Sequence, residues 1–391
     1  MILYPYSQSH FWTVNKEERN NMEPITNRGR QFEVDLIKFL AIPFMICIHF
    51  YEQFGAFDFK RVLPDSFFRN AIEFIGGPLA APVFMFSMGI GMIYTGKNTP
   101  KDFMWRGARL LLTGYMLNFV RQTLPQLIGL AMGINAGIDI IGGLLCVDIL
   151  PFAGMTFLSV GLMRKLKLSS WQICITAFLL QAAGIHFVRI HFEPGVIQNL
   201  LGLLVPTGEW TSFPLTLWLV YPSLGMVFGE YLLKCKDKDK AYRKILICSV
   251  VFFAALTSAL LYTGYDVRLI YALSENSYYH QSLLSTLWII PVVMAELAAC
   301  CLIFRKAEKN RVGTFIRYCS INLNTVYIIQ WLIIAYSVAI GILVGFEKTR
   351  SPMIIITGGI TVTIISIMIS VPFAKIKKRK SMKIDIGQCR A

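Results

Sequence analysis

The stretch DLIKFLAIPFMICIH, residues 35–49, determines how the rest of this chain is interpreted. Apart from Asp35, Lys38 and His49 it is apolar, and the predicted helix that contains it covers residues 33–54. About 20 such residues span the roughly 30 Å hydrocarbon core of a bilayer. The run is longer than a signal-peptide core and lacks a small-residue cleavage site after it, so we expect a retained spanning helix.

Composition points to the same class of protein. Hydrophobic residues make up 55% of the 391 residues and charged residues only 16%, whereas ordinary soluble domains carry about 25% charged residues. The net charge of +15 would suit a nucleic-acid-binding protein. However, the basic residues form no patch with interleaved aromatics, so no nucleic-acid partner is expected. No cysteine spacing predicts a metal site.

Apolar runs separated by short polar stretches recur as far as Phe373. They predict an all-α polytopic integral membrane protein, a bundle of about ten transmembrane helices. The predicted spans are residues 33–54, 70–95, 103–123, 139–163, 169–189, 211–233, 243–264, 282–304, 319–345 and 351–374.

Lysine and arginine residues are concentrated in alternate loops. The predicted spans place 29 of the 38 on one side of the membrane and eight on the other, with Lys38 inside a helix. Because cytoplasmic loops hold the excess of basic residues, both termini are predicted to be cytoplasmic. The predicted organisation is a polar cytoplasmic segment (1–32), a transmembrane domain (33–374) and a basic cytoplasmic tail (375–391) of a multi-pass cell-membrane protein.

The polar residues of the first helix share one face. Lys38 and His49 are eleven residues apart, which at 100° per residue leaves them about 20° apart around the axis and roughly 16 Å apart along it. Asp35 lies within about 60° of both. A charge at mid-membrane costs at least about 2.5–3.5 kcal/mol, so this stripe predicts a polar channel in the bundle. Two alternatives stay open: Lys38 as a snorkelling side chain paired with Asp35, and His49 as a hydrogen-bond partner of a neighbouring helix.

An aspartate, a basic residue three positions later and, after ten more residues, a histidine, in the first of ten predicted helices, resemble the acyltransferase 3 family. The segments RGRQFEVDLIKFLAIPFMICIH, PLAAPVFMFSMGIGMIYTG and FMWRGARLLLTGYMLNFVR are similar to heparan-alpha-glucosaminide N-acetyltransferase-like proteins of the same transmembrane acyltransferase superfamily. Two positions depart from the pattern. Lys38 replaces the usual arginine, and in INLNTVYIIQWLI Gln330 stands where a histidine is expected.

The resemblance implies an acyltransferase that moves an acyl group, commonly acetyl, from cytoplasmic acyl-CoA to a hydroxyl or amine of a cell-envelope or extracellular glycan. His49 is then the general base, because histidine has an unperturbed pKa of about 6.5; a transient acyl-histidine is the alternative. Lys38, Arg106 and Arg109 are candidates for binding the phosphates of the donor, although both arginines also fit ordinary cytoplasmic anchoring. The expected partners are acyl-CoA, a glycan or glycolipid acceptor and membrane lipids, with no permanently bound cofactor and no metal.

Further polar residues inside predicted helices are candidates for binding the acceptor or lining the cavity. Their burial in a membrane is costly unless they pair or serve a function. An amide in this set could equally hold helices together, and Arg121 could snorkel outward. The candidates are Asp35, Asn118, Arg121, Asp148, Glu296 and Asn324. Polar stripes and buried carboxylates also build substrate pathways, so a secondary transporter or lipid-linked glycan exporter is the alternative function.

Overall fold

The computed structural model describes residues 26, 27, 29–56, 63, 66–134, 138–190, 195–207, 210–273 and 278–388. Within these ranges the regular structure is helical apart from two isolated bridges, Gly55 with Thr349 and Val147 with Thr211, which confirms the all-α prediction. The helices are α1 Phe32–Phe54, α2 Phe67–Gly76, α3 Ala81–Tyr94, α4 Pro100–Asn118, α5 Leu124–Ala131, α6 Ile140–Leu145, α7 Ile149–Lys165, α8 Ser170–Gly184, α9 Val196–Leu201, α10 Leu215–Trp218, α11 Val220–Lys234, α12 Lys238–Tyr262, α13 Leu283–Phe304, α14 Arg311–Ile321, α15 Leu323–Leu343 and α16 Pro352–Gln388.

Seven helical stretches in the described ranges are long and apolar enough to cross a membrane. They match seven of the ten predicted spans, and they are Phe32–Phe54, Phe67–Tyr94, Ser170–Val188, Lys238–Tyr262, Leu283–Lys309, Leu323–Leu343 and Pro352–Phe373.

The other three predicted spans are also helical but are shorter, interrupted or charged. The span predicted at 103–123 corresponds to α4, which begins with several charged residues and continues through a π-helical turn, Phe119–Thr123. The one predicted at 139–163 is divided into α6 and α7, and the one at 211–233 into α10 and α11. The count of ten and the cytoplasmic position of both termini stay predictions.

Helix α1 is the central element of the bundle. It packs against α2, α3, α13, α14, α15 and α16, and Ile37, Ile42, Ile46 and Tyr51 are fully buried along it. Helix α12 is the opposite case, since it packs mainly on α13 and most of its apolar surface is exposed, as expected for a helix that faces lipid. Below, the Phe32 end and the Phe54 end denote the two ends of the bundle at which α1 begins and ends.

Two breaks in helices lie next to the half of α1 nearer the Phe54 end. Helices α2 and α3 form one predicted span that is interrupted by a turn at residues 77–80. The stretch 146–148 separates α6 from α7 in the same way. The backbone N–H of Val147 donates to the carbonyl oxygen of Trp210, and the carbonyl oxygen of Val147 accepts from the N–H groups of Ser212 and Phe213. Irregular backbone at membrane depth is stable only where protein or a polar cavity satisfies it. The breaks therefore mark a specialised region beside α1.

Helices α3 and α11 approach each other until their backbones touch. A Cβ atom on Gly89 would lie 1.9 Å from the Pro222 carbonyl oxygen, and one on Gly225 would lie 2.0 Å from the Phe86 carbonyl oxygen. Small residues at such contacts are how membrane helices gain packing energy.

We expect Gly89→Ala to destabilise the protein by at least about 1–3 kcal/mol, because the added methyl group overlaps backbone atoms that a side-chain rotation cannot move. The measurement is the midpoint of thermal unfolding in detergent. Gly91→Ala is the matched control in the same helix, since among the described residues nothing beyond its chain neighbours and the backbone of its own helix lies within 4 Å of its Cβ position. Equal midpoints for the two variants would contradict the close packing of α3 on α11.

Candidate active site

His49 lies in the half of α1 nearer the Phe54 end and projects toward α15, which fixes the imidazole in two ways. The Nδ1 atom of His49 lies 3.3 Å from Oε1 of Gln330. The ring of the next residue, Trp331, packs on the imidazole with 4.2 Å between ring centroids and 30° between planes. Two neighbouring side chains of α15 thus set both the position and the tilt of the histidine.

A buried ion pair lies beside this histidine. Nη2 of Arg121 is 2.8 Å from Oδ2 of Asp148, and both side chains are almost fully enclosed. The Tyr327 hydroxyl donates to the same carboxylate oxygen, while the Ile149 backbone N–H donates to Oδ1 at 2.7 Å. A buried charge is tolerated only when it is paired and hydrogen-bonded in this way.

Both partners of the ion pair come from irregular backbone. Arg121 belongs to the π-helical turn after α4, and turns of this kind are frequent at functional sites. Asp148 was predicted within a helix, but the structure places it at the break, where it caps the N-terminus of α7. Asn118 stabilises the break, because its Nδ2 donates to the carbonyl oxygens of Leu144 and Cys146 and its Oδ1 accepts from Arg121.

Trp331 connects the histidine to the ion pair. The guanidinium carbon of Arg121 lies 4.1 Å from the centroid of the indole, close enough for a cation–π interaction. His49 packs on the same ring. Residues from α1, the π-helical turn, the α6–α7 break and α15 therefore form one cluster, defined here as the His49 cluster: His49, Asn118, Arg121, Asp148, Tyr327, Gln330 and Trp331.

A cavity of about 30 Å³ opens at this cluster. Apolar side chains of α1 and the α2–α3 break form much of its wall, and a few polar groups converge in it. Its volume is about that of one water molecule. Toward the Phe54 end, the Tyr279 hydroxyl donates to Glu52 at 2.7 Å. The lining residues are Met45, Ile48, His49, Gly76, Ala80, Ala81, Asp148, Ile149, Phe213, Leu273, Tyr278, Tyr279 and Tyr327.

At the Phe32 end of the stripe, Asp35 pairs with Arg30 and not with Lys38. Two nitrogens of Arg30 donate to the two carboxylate oxygens of Asp35, and the Ser320 hydroxyl adds a bond of 2.7 Å. The interpretation of Lys38 as a partner of Asp35 is therefore wrong, because Arg30 reaches that carboxylate with a bidentate fork. Within the described residues Lys38 has no ion pair, and it lies within electrostatic range of Asp35, Arg30 and Arg106.

Besides Asp35 and Lys38, four predicted site residues lie outside the His49 cluster. Arg106 is half-buried, with its guanidinium carbon 4.4 Å from the centroid of the Phe157 ring. Arg109 is exposed and lies over Trp105. Glu296 is half-buried in α13, and its Oε2 has no hydrogen-bond partner among the described residues. The amide Asn324 is exposed in the first turn of α15, so the structure does not bring it to the cavity.

Three residues of the His49 cluster and of the Asp35 ion pair were not predicted from the sequence: Tyr327, Trp331 and Arg30. Tyr327 and Trp331 lie in an apolar helix where aromatic residues usually only pack, so nothing in their spacing indicated contact with a carboxylate and a histidine. Tyr327 and Trp331 are four positions apart on α15, which places both on one helix face. Arg30 precedes the first helix in a polar segment, where a basic residue is ordinary.

In the described part of the chain, no group of three His, Cys, Asp or Glu side chains could hold a metal ion.

The chain matches a known protein family. A family model described as an acyltransferase domain matches residues 31–371, a range that contains every residue of the His49 cluster. No curated protein matches the chain.

The ion pair gives a prediction that is independent of activity. We expect Asp148→Asn to destabilise the protein by about 3–5 kcal/mol, because Arg121 is left buried without a counter-charge. The double variant Arg121→Gln/Asp148→Asn should recover part of that loss, since it removes both charges. Thermal unfolding in detergent measures the cycle. If the double variant loses more stability than the losses of the two single variants added together, the pairing is contradicted.

Proposed function

This chain belongs to the acyltransferase 3 family and is an integral membrane protein, and we propose that it transfers an acetyl group across the membrane. The donor is acyl-CoA bound at the Phe32 end, which we propose to be cytoplasmic. The acceptor is a hydroxyl or amine of a sugar in a cell-envelope or extracellular glycan or glycolipid, and it enters from the Phe54 end. The protein lies in the cell membrane in this proposal.

The observation that carries the proposal is the setting of His49. It combines a histidine at a cavity wall, a partner that fixes one ring nitrogen and a neutralised ion pair nearby. If Nδ1–H donates to Gln330, the other nitrogen, Nε2, is left without a proton and can act as a base. A base needs a partner that selects its tautomer, and here Gln330 takes that part.

In the proposed reaction the Nε2 atom of His49 removes the proton of the acceptor hydroxyl or amine as its oxygen or nitrogen attacks the thioester carbonyl carbon. The same nitrogen then returns the proton to the sulfur of the departing CoA. Arg121 and Asp148 hold the π-helical turn and the α6–α7 break in place around this reaction. We propose that Asn118 and Tyr327 contribute to the same scaffold, and that Glu52 with Tyr279 faces the acceptor.

The cationic residues at the Phe32 end of α1 support the proposal that the donor binds at that end. Lys38 and Arg106 supply positive charge at the Phe32 end, beside the ion pair of Arg30 with Asp35, and the phosphates of CoA are proposed to bind there. Cationic side chains are the usual partners of phosphate. The roughly 16 Å between Lys38 and His49 along α1 is the distance that the pantetheine arm has to cover to bring the thioester to the base.

The decisive test uses proteoliposomes with the glycan enclosed and radiolabelled acetyl-CoA outside. We expect His49→Ala to lower the rate of acetyl transfer by about 10²–10⁴-fold, the usual contribution of a general base. His186→Ala is the matched control, since this histidine is exposed in a different helix. Full activity of the His49 variant would contradict the mechanism, and movement of the glycan without acetylation would favour a transporter.

The donor site gives a separate prediction about binding. We expect Arg106→Gln to raise the KM for acyl-CoA by about 10–100-fold with a small effect on kcat, because a charged hydrogen bond contributes about 1.5–3 kcal/mol. Arg109→Gln should have a weaker effect, since its side chain is exposed over Trp105. Steady-state kinetics with acyl-CoA varied measures both. An unchanged KM in the Arg106 variant would remove this residue from the donor site.

A further inference from the structure

Gln330 has a second polar atom that its role as a histidine partner does not use. Its side chain is fully buried, and its Oε1 faces Nδ1 of His49. The other end of the amide, Nε2, has no hydrogen-bond partner among the residues that the structure describes. The same amide therefore offers one occupied acceptor and two unused N–H hydrogens beside the proposed base.

Trp331 repeats this feature at the next position. It is 9% exposed, and within the described ranges its Nε1 atom also has no hydrogen-bond partner. The Tyr327 hydroxyl, which donates to Asp148, lies near the indole, but its contact with Nε1 of Trp331 does not meet hydrogen-bond geometry. Two consecutive residues of α15 thus place buried, unused N–H donors next to His49.

Buried donors of this kind are costly. Each one left unsatisfied costs about 1–3 kcal/mol, and two of them next to a candidate base indicate a ligand atom that accepts hydrogen bonds. The charge of the cluster limits which atom this is. Asp148 neutralises Arg121 through Nη2, while Nε and Nη1 of Arg121 also lack hydrogen-bond partners among the described residues. Donors of this kind around His49 suit an oxygen that is uncharged at the start and gains negative charge during the reaction.

We propose that Nε2–H of Gln330 and Nε1–H of Trp331 donate hydrogen bonds to the carbonyl oxygen of the acyl thioester and to the oxyanion formed from it. This inference rests on the proposed acyl transfer and adds two catalytic residues to it. Gln330 then serves both sides of the reaction, because its Oε1 orients the base while its Nε2 stabilises the charge that develops during attack.

The reaction balances with these groups alone. The acceptor oxygen forms a bond to the carbonyl carbon, its proton moves to Nε2 of His49, and the π electrons of the carbonyl move to its oxygen, which the two donors bind. The carbonyl then reforms, the carbon–sulfur bond breaks, and the thiolate of CoA takes the proton from His49. The products are the acylated acceptor and free CoA.

Two variants each remove one N–H donor and keep the contact with His49. Gln330→Glu also brings a carboxyl group beside the imidazole, so Trp331→Phe, which adds no ionisable group, is the reference for it. Gln330→Glu preserves an oxygen for Nδ1–H of His49 but has no N–H, and Trp331→Phe preserves the stacked ring but has no N–H. We expect each to lower kcat by about 10²–10³-fold, as loss of one oxyanion donor does elsewhere, with little change in the KM for acyl-CoA. If Gln330→Glu does not fold, Trp331→Phe carries the test.

Infrared spectra of carbonyl-labelled acetyl-CoA bound without acceptor separate this inference from the proposed function. In the native protein we expect the carbonyl stretch at lower frequency than in free acetyl-CoA, and closer to the free value in both variants. Bound acetyl-CoA with the same stretch in the native protein and both variants, together with unchanged kcat, would overturn the donor roles. Absence of any binding or transfer by the native protein would instead overturn the proposed function.

Discussion

The ion pair between Arg121 and Asp148 joins two places where the backbone is not a regular α-helix. One is the π-helical turn after α4 and the other is the break before α7. In hydrocarbon, irregular backbone and single charges are both unfavourable, and each needs partners inside the protein. Here the two needs are met together, because the side chains of the turn and of the break neutralise each other and bind the nearby backbone.

His49 has its environment because of that arrangement. The guanidinium of Arg121 packs on the Trp331 ring, and the same ring packs on the imidazole. Tyr327, one turn earlier on α15, binds Asp148. Helix α15 therefore contacts the base and the ion pair at once, so a shift of this helix would disturb both. The catalytic arrangement is a property of several helices and not of α1 alone.

Several features of this arrangement can be predicted from the chain itself. The cost of placing charges in a membrane singles out His49, Arg121 and Asp148 as candidates, and the structure brings them together with Asn118. Helical periodicity places Lys38 and His49 on one face of α1. The same reasoning also selects Asn324 as a cavity residue, although its side chain is exposed in the structure. The sequence of one helix does not show which of its faces the neighbouring helices cover.

The sequence by itself determined the membrane class, the all-helical fold and the polar stripe of α1, because apolar run length and the 3.6-residue period are local properties of the chain. Tertiary structure alone decided that Arg30 and not Lys38 pairs with Asp35, that Asp148 lies at a break, and that Gln330 and Trp331 enclose His49. The contact between His49 and Gln330 joins residues 281 positions apart, and its geometry depends on how the helices pack, which no local pattern encodes.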